Sequence, residues 1–132
     1  MVFVDSNIFF DMWDHDPAWE PWSRPHFLAI SNIDDLGIDT VVYAELSTRY
    51  SSHSKLDRDL QALEVRVLAT PPEAAFLAGK AFQAYRAKGG TKTGVLADFF
   101  IGAHADFLGA SLLTRDPRPY RTYFPIVHLI TP

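Results

Sequence analysis

The chain contains no cysteine. Disulfides and thiolate zinc sites are therefore excluded, and a reducing compartment is its natural setting. No apolar run approaches the ~20 residues a helix needs to cross a bilayer. The opening MVFVDSN is neither a basic leader nor a secretory h-region. These absences read as a soluble, cytoplasmic protein with no membrane partner. Internal repeats, low-complexity tracts and linkers are also missing, so residues 1–132 read as one domain with room for a real core. Histidine is scattered. His15, His26, His53 and His128 lack zinc-ligand spacing, and His104, inside an apolar run, suits a satisfied core position.

Hydrophobic residues make up 48% of the chain, which argues against disorder. The net charge of −4 at first argues against a polyanionic partner, but the distribution is uneven. Residues 1–78 carry a net of −8 and residues 79–132 a net of +4. Arg86, Lys88 and Lys92 form one basic stretch, and Arg115, Arg118 and Arg121 another. Such a half can hold a polyanion while a cation offsets an acidic cleft. Solvated surface Lys and Arg are the plainer explanation of each one taken alone.

Strand and helix signals alternate. VFVD is a short apolar strand, SNIFFDMWDH a short helix with Ser6 near its cap, and HFLAISNI a helical turn or two after Pro17, Pro21 and Pro25. GIDT is a second strand, VVYAELSTRY and KLDRDLQAL are helices, and EVRVLA is a third strand. A long helix follows Pro71 and Pro72 and ends at Gly89 and Gly90. VLADFFIGAHADFLGA is an apolar helix, SLLT a fourth strand, RPYRTYF a short helix and IVHLI a last strand. This alternation predicts an α/β domain with a mostly parallel sheet.

Four acids occupy comparable points in that pattern: Asp5 closes the first strand, Glu45 lies in the helix after the second, Asp98 enters the apolar helix, and Asp116 follows the fourth strand. Parallel sheets place sites beyond the carboxyl ends of their strands, where the strand order reverses. Carboxylates gathered there repel one another unless a cation neutralises them.

Each acid alone has a rival explanation. Asp116 precedes Pro117 and suits a helix cap. Asp98 suits a helix N-terminus, although the Phe99, Phe100 and Ile101 beside it make an unpaired charge costly. Glu45 suits a solvated helix face. Asp5, at the end of a central strand, is harder to explain as surface. Asn7 can orient the Asp5 carboxylate or be a surface amide. Thr114 can meet a phosphate or a metal-bound water, or be a β-branched strand end. Trp13, Trp19 and Trp22 suit core packing, a flap or a partner surface.

VFVDSNIFFD, VVYAEL, ADFFIGAHA and LLTRDPRPYRTYFP together resemble a PIN domain, in that family's order and over nearly the whole chain. The single-domain length and ADFFIGAHA…LLTRD…YRTYFP are similar to the toxin half of VapBC-type toxin–antitoxin pairs. VDSN matches the strand-one Asp followed two residues later by Asn; Glu45, Asp98 and Asp116 match the second, third and fourth acids, and Thr114 the hydroxyl before the fourth. YAEL meets the usual context of the second acid only loosely. The resemblance implies a three-layer α/β/α sandwich with a central, mostly parallel sheet of four to five strands. It implies an endoribonuclease using Mg²⁺ or Mn²⁺, with Asp5, Asp98 and Asp116 as metal ligands and Glu45 as a ligand or water-positioning base. In-line attack on RNA would leave a 5′-phosphate and a 3′-hydroxyl. Arg86, Lys88, Arg115 and Arg118 are the candidates for gripping RNA phosphates. A homodimer and a cognate antitoxin whose tail fills the active-site groove are implied as partners.

Other readings make different demands. A haloacid-dehalogenase-type phosphatase needs a second Asp where this chain has Asn7. A receiver domain needs an acceptor Asp on the third strand, and EVRVLA has none. A PIN nuclease of RNA processing, or a PIN fold that only binds, remains the alternative to a toxin.

Overall fold

The computed structural model describes residues 1–132. Thirteen elements follow in chain order: β1 (Val2–Val4), α1 (Ser6–Trp13), α2 (Glu20–Ser31), β2 (Leu36–Asp39), α3 (Thr40–Leu46), a 3₁₀ turn (Ser47–Arg49), α4 (His53–Ala62), β3 (Val65–Leu68), α5 (Pro72–Ala87), α6 (Val95–Leu108), β4 (Ser111–Leu113), α7 (Arg118–Tyr123) and β5 (Leu129–Ile130). The five strands form one sheet in the order β3-β2-β1-β4-β5, and every pairing is parallel. This is the expected α/β/α architecture, at the upper end of the anticipated strand number. No helix is long and apolar enough to cross a membrane.

The topology creates the site. The chain runs outward from β1 through β2 to β3, then returns to lay β4 and β5 on the other side of β1. Because parallel crossovers are right-handed, that reversal moves the connecting helices to the opposite face and opens a crevice between β1 and β4. Val4 pairs with Leu113, and the Asp5 amide donates to the Leu113 carbonyl at 2.9 Å. Asp5 and Thr114 are thus neighbours at the carboxyl edge of the sheet.

The central strands read as uninterrupted apolar runs because both faces are covered: Phe3, Val4, Leu112 and Leu113 are fully buried. Helix α6 follows suit, with Phe99, Ile101, Gly102, Ala103, His104 and Ala105 all buried. Gly102 makes that packing possible, since a Cβ there would lie 2.5 Å from the Phe124 ring.

The structure corrects several sequence-level boundaries. The helical turn or two expected over HFLAISNI is the twelve-residue α2, beginning at Glu20. Pro21 falls in its first turn, where the lost N–H is unneeded, and Arg24 ties the turn to Glu20 at 2.9 Å. Ser6 does stand near the cap of α1, as its first helical residue, and the cap itself is Asp5. β2 stops at Asp39 because that side chain accepts from the Val41 amide at 2.6 Å and starts α3. The last strand shrinks to Leu129–Ile130, pairing only with β4 at the sheet edge.

Candidate active site

Asp5 is the most constrained acid. It is 4% exposed, and its Oδ2 accepts from Thr114 Oγ1 at 2.8 Å, Tyr120 Oη at 2.8 Å and Asn7 Nδ2 at 3.4 Å. The Ser6 hydroxyl donates to Oδ1 at 3.5 Å. Burial raises its pKa, and the hydrogen bonds from Thr114, Tyr120 and Ser6 oppose that rise. Asn7 also donates to Thr114 Oγ1 at 3.3 Å and accepts from the Arg115 amide at 3.4 Å, linking α1 to the strand beyond the switch point.

Glu45 and Asp98 stand differently. They lie half-buried on the wall of a cleft of about 940 Å³ that Asp116 also lines. Glu45 Oε1 is buried and has no hydrogen-bond partner. Burial, then the charge of Asp5, raises the Glu45 pKa, and the nearby Ser6 hydroxyl opposes the rise. Burial raises Asp98 to about 7, with further repulsion from Asp5, Glu45 and Asp116. Asp98 thus feels the other three acids and Glu45 feels Asp5, although the four come from separate parts of the chain.

Asp116 is held apart from this repulsion by Arg118. Its oxygens accept from Arg118 Nε at 2.8 Å and Nη2 at 3.0 Å, and that pairing keeps its pKa below the usual carboxylate range. As the side chains stand, no three acidic or histidine groups surround a single point at coordinating distance. Asp5 is turned to its hydroxyl donors and Asp116 to its arginine. The site is an electrostatic cluster rather than a finished cage.

The basic residues separate. Lys88 and Arg118 line the acidic cleft. Arg86 does not; its guanidinium lies over the Phe82 ring, 5.0 Å from the centroid. Arg115 reaches back to the buried Asp11, its Nε at 3.0 and 2.9 Å from the two oxygens, and its guanidinium faces Trp19. Ser23 donates to the same Asp11 at 2.7 Å. This cluster pins the loop carrying Asp116 to α1 and α2.

Two networks escaped sequence reasoning. Tyr120 belongs to a segment that reads only as a short helix, and nothing in its spacing points 115 residues back to Asp5. Asp39 accepts from His104 Nδ1 at 2.7 Å, Thr70 Oγ1 at 2.6 Å and the Val41 amide. His104 is thus a satisfied core residue, as its apolar surroundings suggest.

The profile of the PIN domain family matches residues 2–125. The chain belongs to the PIN domain family. No curated protein matches it in sequence. Among solved structures this PIN domain is similar to VapBC2 from Rickettsia felis, solved bound to a promoter DNA fragment: TM-score 0.70, 19% identity, covering 99% of this chain and 98% of that one. It is similar to FitAcB from Neisseria gonorrhoeae at TM-score 0.72 and 17% identity, over 98% and 96% of the two chains. VapBC-1 from nontypeable Haemophilus influenzae gives TM-score 0.71 and 20% identity over 99% and 98%. At these identities the likeness is one of fold.

Proposed function

We propose that this PIN domain is a divalent-cation-dependent endoribonuclease, acting in the cytoplasm as the toxin of a toxin–antitoxin pair. The observation that carries the reading is the unpaired state of Glu45 and Asp98 beside Asp5: a buried carboxylate oxygen with no donor, and an aspartate raised to about 7 by burial and three neighbouring acids. No basic side chain pairs with either carboxylate. Oxygen-only donors of this kind fit a hard cation such as Mg²⁺ or Mn²⁺.

Asp5, Asp98 and Asp116 would hold the cation, with Glu45 as a further ligand or as the base that positions water. A divalent cation bound there supplies charge to the phosphate oxygens and lowers the pKa of an attacking water. The chain's own residues set the stage. Thr114, Tyr120 and Asn7 fix the orientation of the Asp5 carboxylate. Arg118 holds Asp116 and stands at the cleft mouth, able to exchange that carboxylate for an RNA phosphate. Lys88 faces the same space. Arg115 and Arg86 serve locally, the first by anchoring the Asp116 loop through Asp11.

The likeness in fold to proteins solved as VapBC and FitAcB supports the toxin role and a cognate antitoxin as partner; a homodimer belongs to the same proposal and rests on the family resemblance alone. The deciding experiment follows cleavage of labelled RNA by the purified protein. Chelation with EDTA should stop it, and Mg²⁺ or Mn²⁺ should restore it. Full activity in EDTA, or undiminished hydrolysis by both Asp5→Asn and Asp98→Asn, overturns the reading.

A further inference from the structure

The cleft has a second wall that the carboxylates do not use. Tyr85, from α5, and Tyr123, at the end of α7, present near-parallel rings, 12° apart in plane with centroids 6.4 Å apart. Both line the cleft that contains Glu45, Asp98 and Asp116. Phe99 supports them from the core: it is 1% exposed and packs against Tyr123 at 4.9 Å and edge-on to Tyr85 at 6.0 Å. Phe99 directly follows Asp98, so one turn of α6 fixes the acid and the aromatic pair together.

Cations border the rings. Lys88 Nζ lies over the face of Tyr123, 5.8 Å from its centroid, in the place a stacked base would take from it, and Lys88 and Lys92 both border the cleft. The loop carrying Lys92 is held by Tyr85, whose hydroxyl accepts from the Lys92 amide at 3.0 Å. Gly90 lets that loop lie flat on the ring, since a Cβ there would fall 2.0 Å from Tyr85 Cε2. Gly89, at φ +87, makes the turn into it. A side chain at position 90 would lift the loop off the ring, so Gly90, Tyr85 and Lys92 form one unit.

Parallel aromatic faces flanked by lysines suit a nucleobase with phosphates on either side. Every base offers a π-face, and stacking on tyrosine is tolerant of sequence. A base can reach such a platform only when it is unpaired, because a duplex keeps its bases stacked inside. Resting on the nuclease reading above, we propose that Tyr123 and Tyr85 are the stacking platform for an unpaired nucleobase beside the scissile phosphate, with Lys88 and Lys92 holding the adjoining phosphates. The platform restricts cleavage to single-stranded segments and sets the register of the strand against the acids.

The test uses the full chain and an eight-nucleotide oligo-uridine carrying one 2-aminopurine, with Ca²⁺ in place of Mn²⁺ for binding. Stacking should quench the 2-aminopurine on binding. Tyr123→Leu keeps the apolar contact with Phe99 but removes the planar face. It should weaken binding about 5- to 100-fold and abolish the quench, and Tyr123→Phe should restore both. Lys92→Ala should weaken binding and reduce its salt slope by about one ion while leaving the quench in place. With Mn²⁺ present, Tyr123→Leu should raise KM far more than it lowers kcat. An unquenched wild-type complex, or equal affinity for the oligonucleotide and its duplex, overturns the platform. So does a Tyr123→Leu protein that binds and quenches like wild type. If wild type still cleaves RNA in Mn²⁺ while any of these holds, the platform alone fails; if no RNA is cleaved under any divalent cation, the nuclease reading fails with it.

Discussion

The phenolic hydroxyl of Tyr120 donates to Oδ2 of Asp5 at 2.8 Å, and both residues are buried. Burial, then the nearby charges of Asp5 and Asp98, pushes the Tyr120 pKa well above its ordinary value, so the group stays a donor at any physiological pH. Asp5 thus receives a permanent hydrogen bond from α7, a helix that follows the last of the four acids. Tyr120→Phe keeps the ring in the core and removes only this donor. Loss of such an orienting partner typically costs about 10- to 100-fold in metal affinity or activity, and loss of the hydrogen bond about 1 kcal/mol of stability. Calorimetric Mn²⁺ titration checks the first and denaturant unfolding the second. An unchanged Mn²⁺ affinity would show that Thr114 and Ser6 suffice to hold the carboxylate.

The raised acids give the cation-free protein an unusual pH dependence. The folded state keeps the Asp98 proton up to about pH 7, whereas an unfolded chain releases it near 3.8. Between those values the native state binds more protons than the unfolded state, so stability falls as pH rises and levels off above 7. Asp5 and Glu45, also raised, act in the same direction. Asp116, lowered by Arg118, contributes the opposite slope only at more acid pH. For partly exposed Asp98 the loss is about 2–4 kcal/mol. Thermal unfolding in EDTA should show Tm dropping from pH 5 to pH 8, and millimolar Mn²⁺ should remove most of the drop by binding the ionised cluster. A flat profile in EDTA would mean that neither burial nor the neighbouring charges raise Asp98.

Asp98→Asn separates stability from function at the same position. The amide removes the charge that burial and three neighbours oppose. In EDTA at pH 8 the variant should gain about 1–3 kcal/mol. At pH 5, where wild-type Asp98 is already protonated, the gain should vanish. RNA cleavage should fall by about a hundredfold or more, as when a single electrostatic contributor to a transition state is removed. Parallel unfolding curves at the two pH values and a timed cleavage assay provide the check, and an equal gain at both would assign the effect to packing.

How much of this was legible in the sequence depends on where the interactions run. The parallel α/β pattern was readable because β1 and β4 lie between two helical layers and so appear as unbroken apolar runs. Three of the four candidate acids stand out in the sequence because Asp5 and Asp116 follow strands and Asp98 starts an apolar helix, where charge is conspicuous; Glu45, near the end of α3, carries no such signal. Lys88 facing the cleft and Arg86 stacking on Phe82 were not distinguishable, since the sequence does not show that α5 ends between them, leaving Arg86 in its last turn and Lys88 at its cap. Arg115 looked like a free phosphate contact because its partner Asp11 is 104 residues away. α2 was underestimated because Pro21 and Pro25 signal a break; Pro21 falls in the first turn, and the Glu20–Arg24 pair bridges the step before Pro25.

Asp39 provides a contrast between holding the fold and binding a cation. It is completely buried and accepts three hydrogen bonds, from His104, Thr70 and the Val41 amide, yet it lies outside the acidic cleft. One carboxylate therefore ends β2, starts α3 and ties both to α6. Asp39→Ala leaves His104 and Thr70 without their acceptor in the core and strips α3 of its cap. Leaving buried donors unsatisfied costs about 1–3 kcal/mol each, and losing the cap about 1 kcal/mol more. Asp39→Asn keeps the shape and can still accept hydrogen bonds, so it should lose less. Neither substitution touches Asp5, Glu45, Asp98 or Asp116, so the Mn²⁺ affinity of the folded fraction should match wild type in both. Denaturant unfolding followed by Mn²⁺ titration of the folded protein distinguishes the roles: a fall in affinity in Asp39→Asn without a fall in stability would make Asp39 part of the cation site.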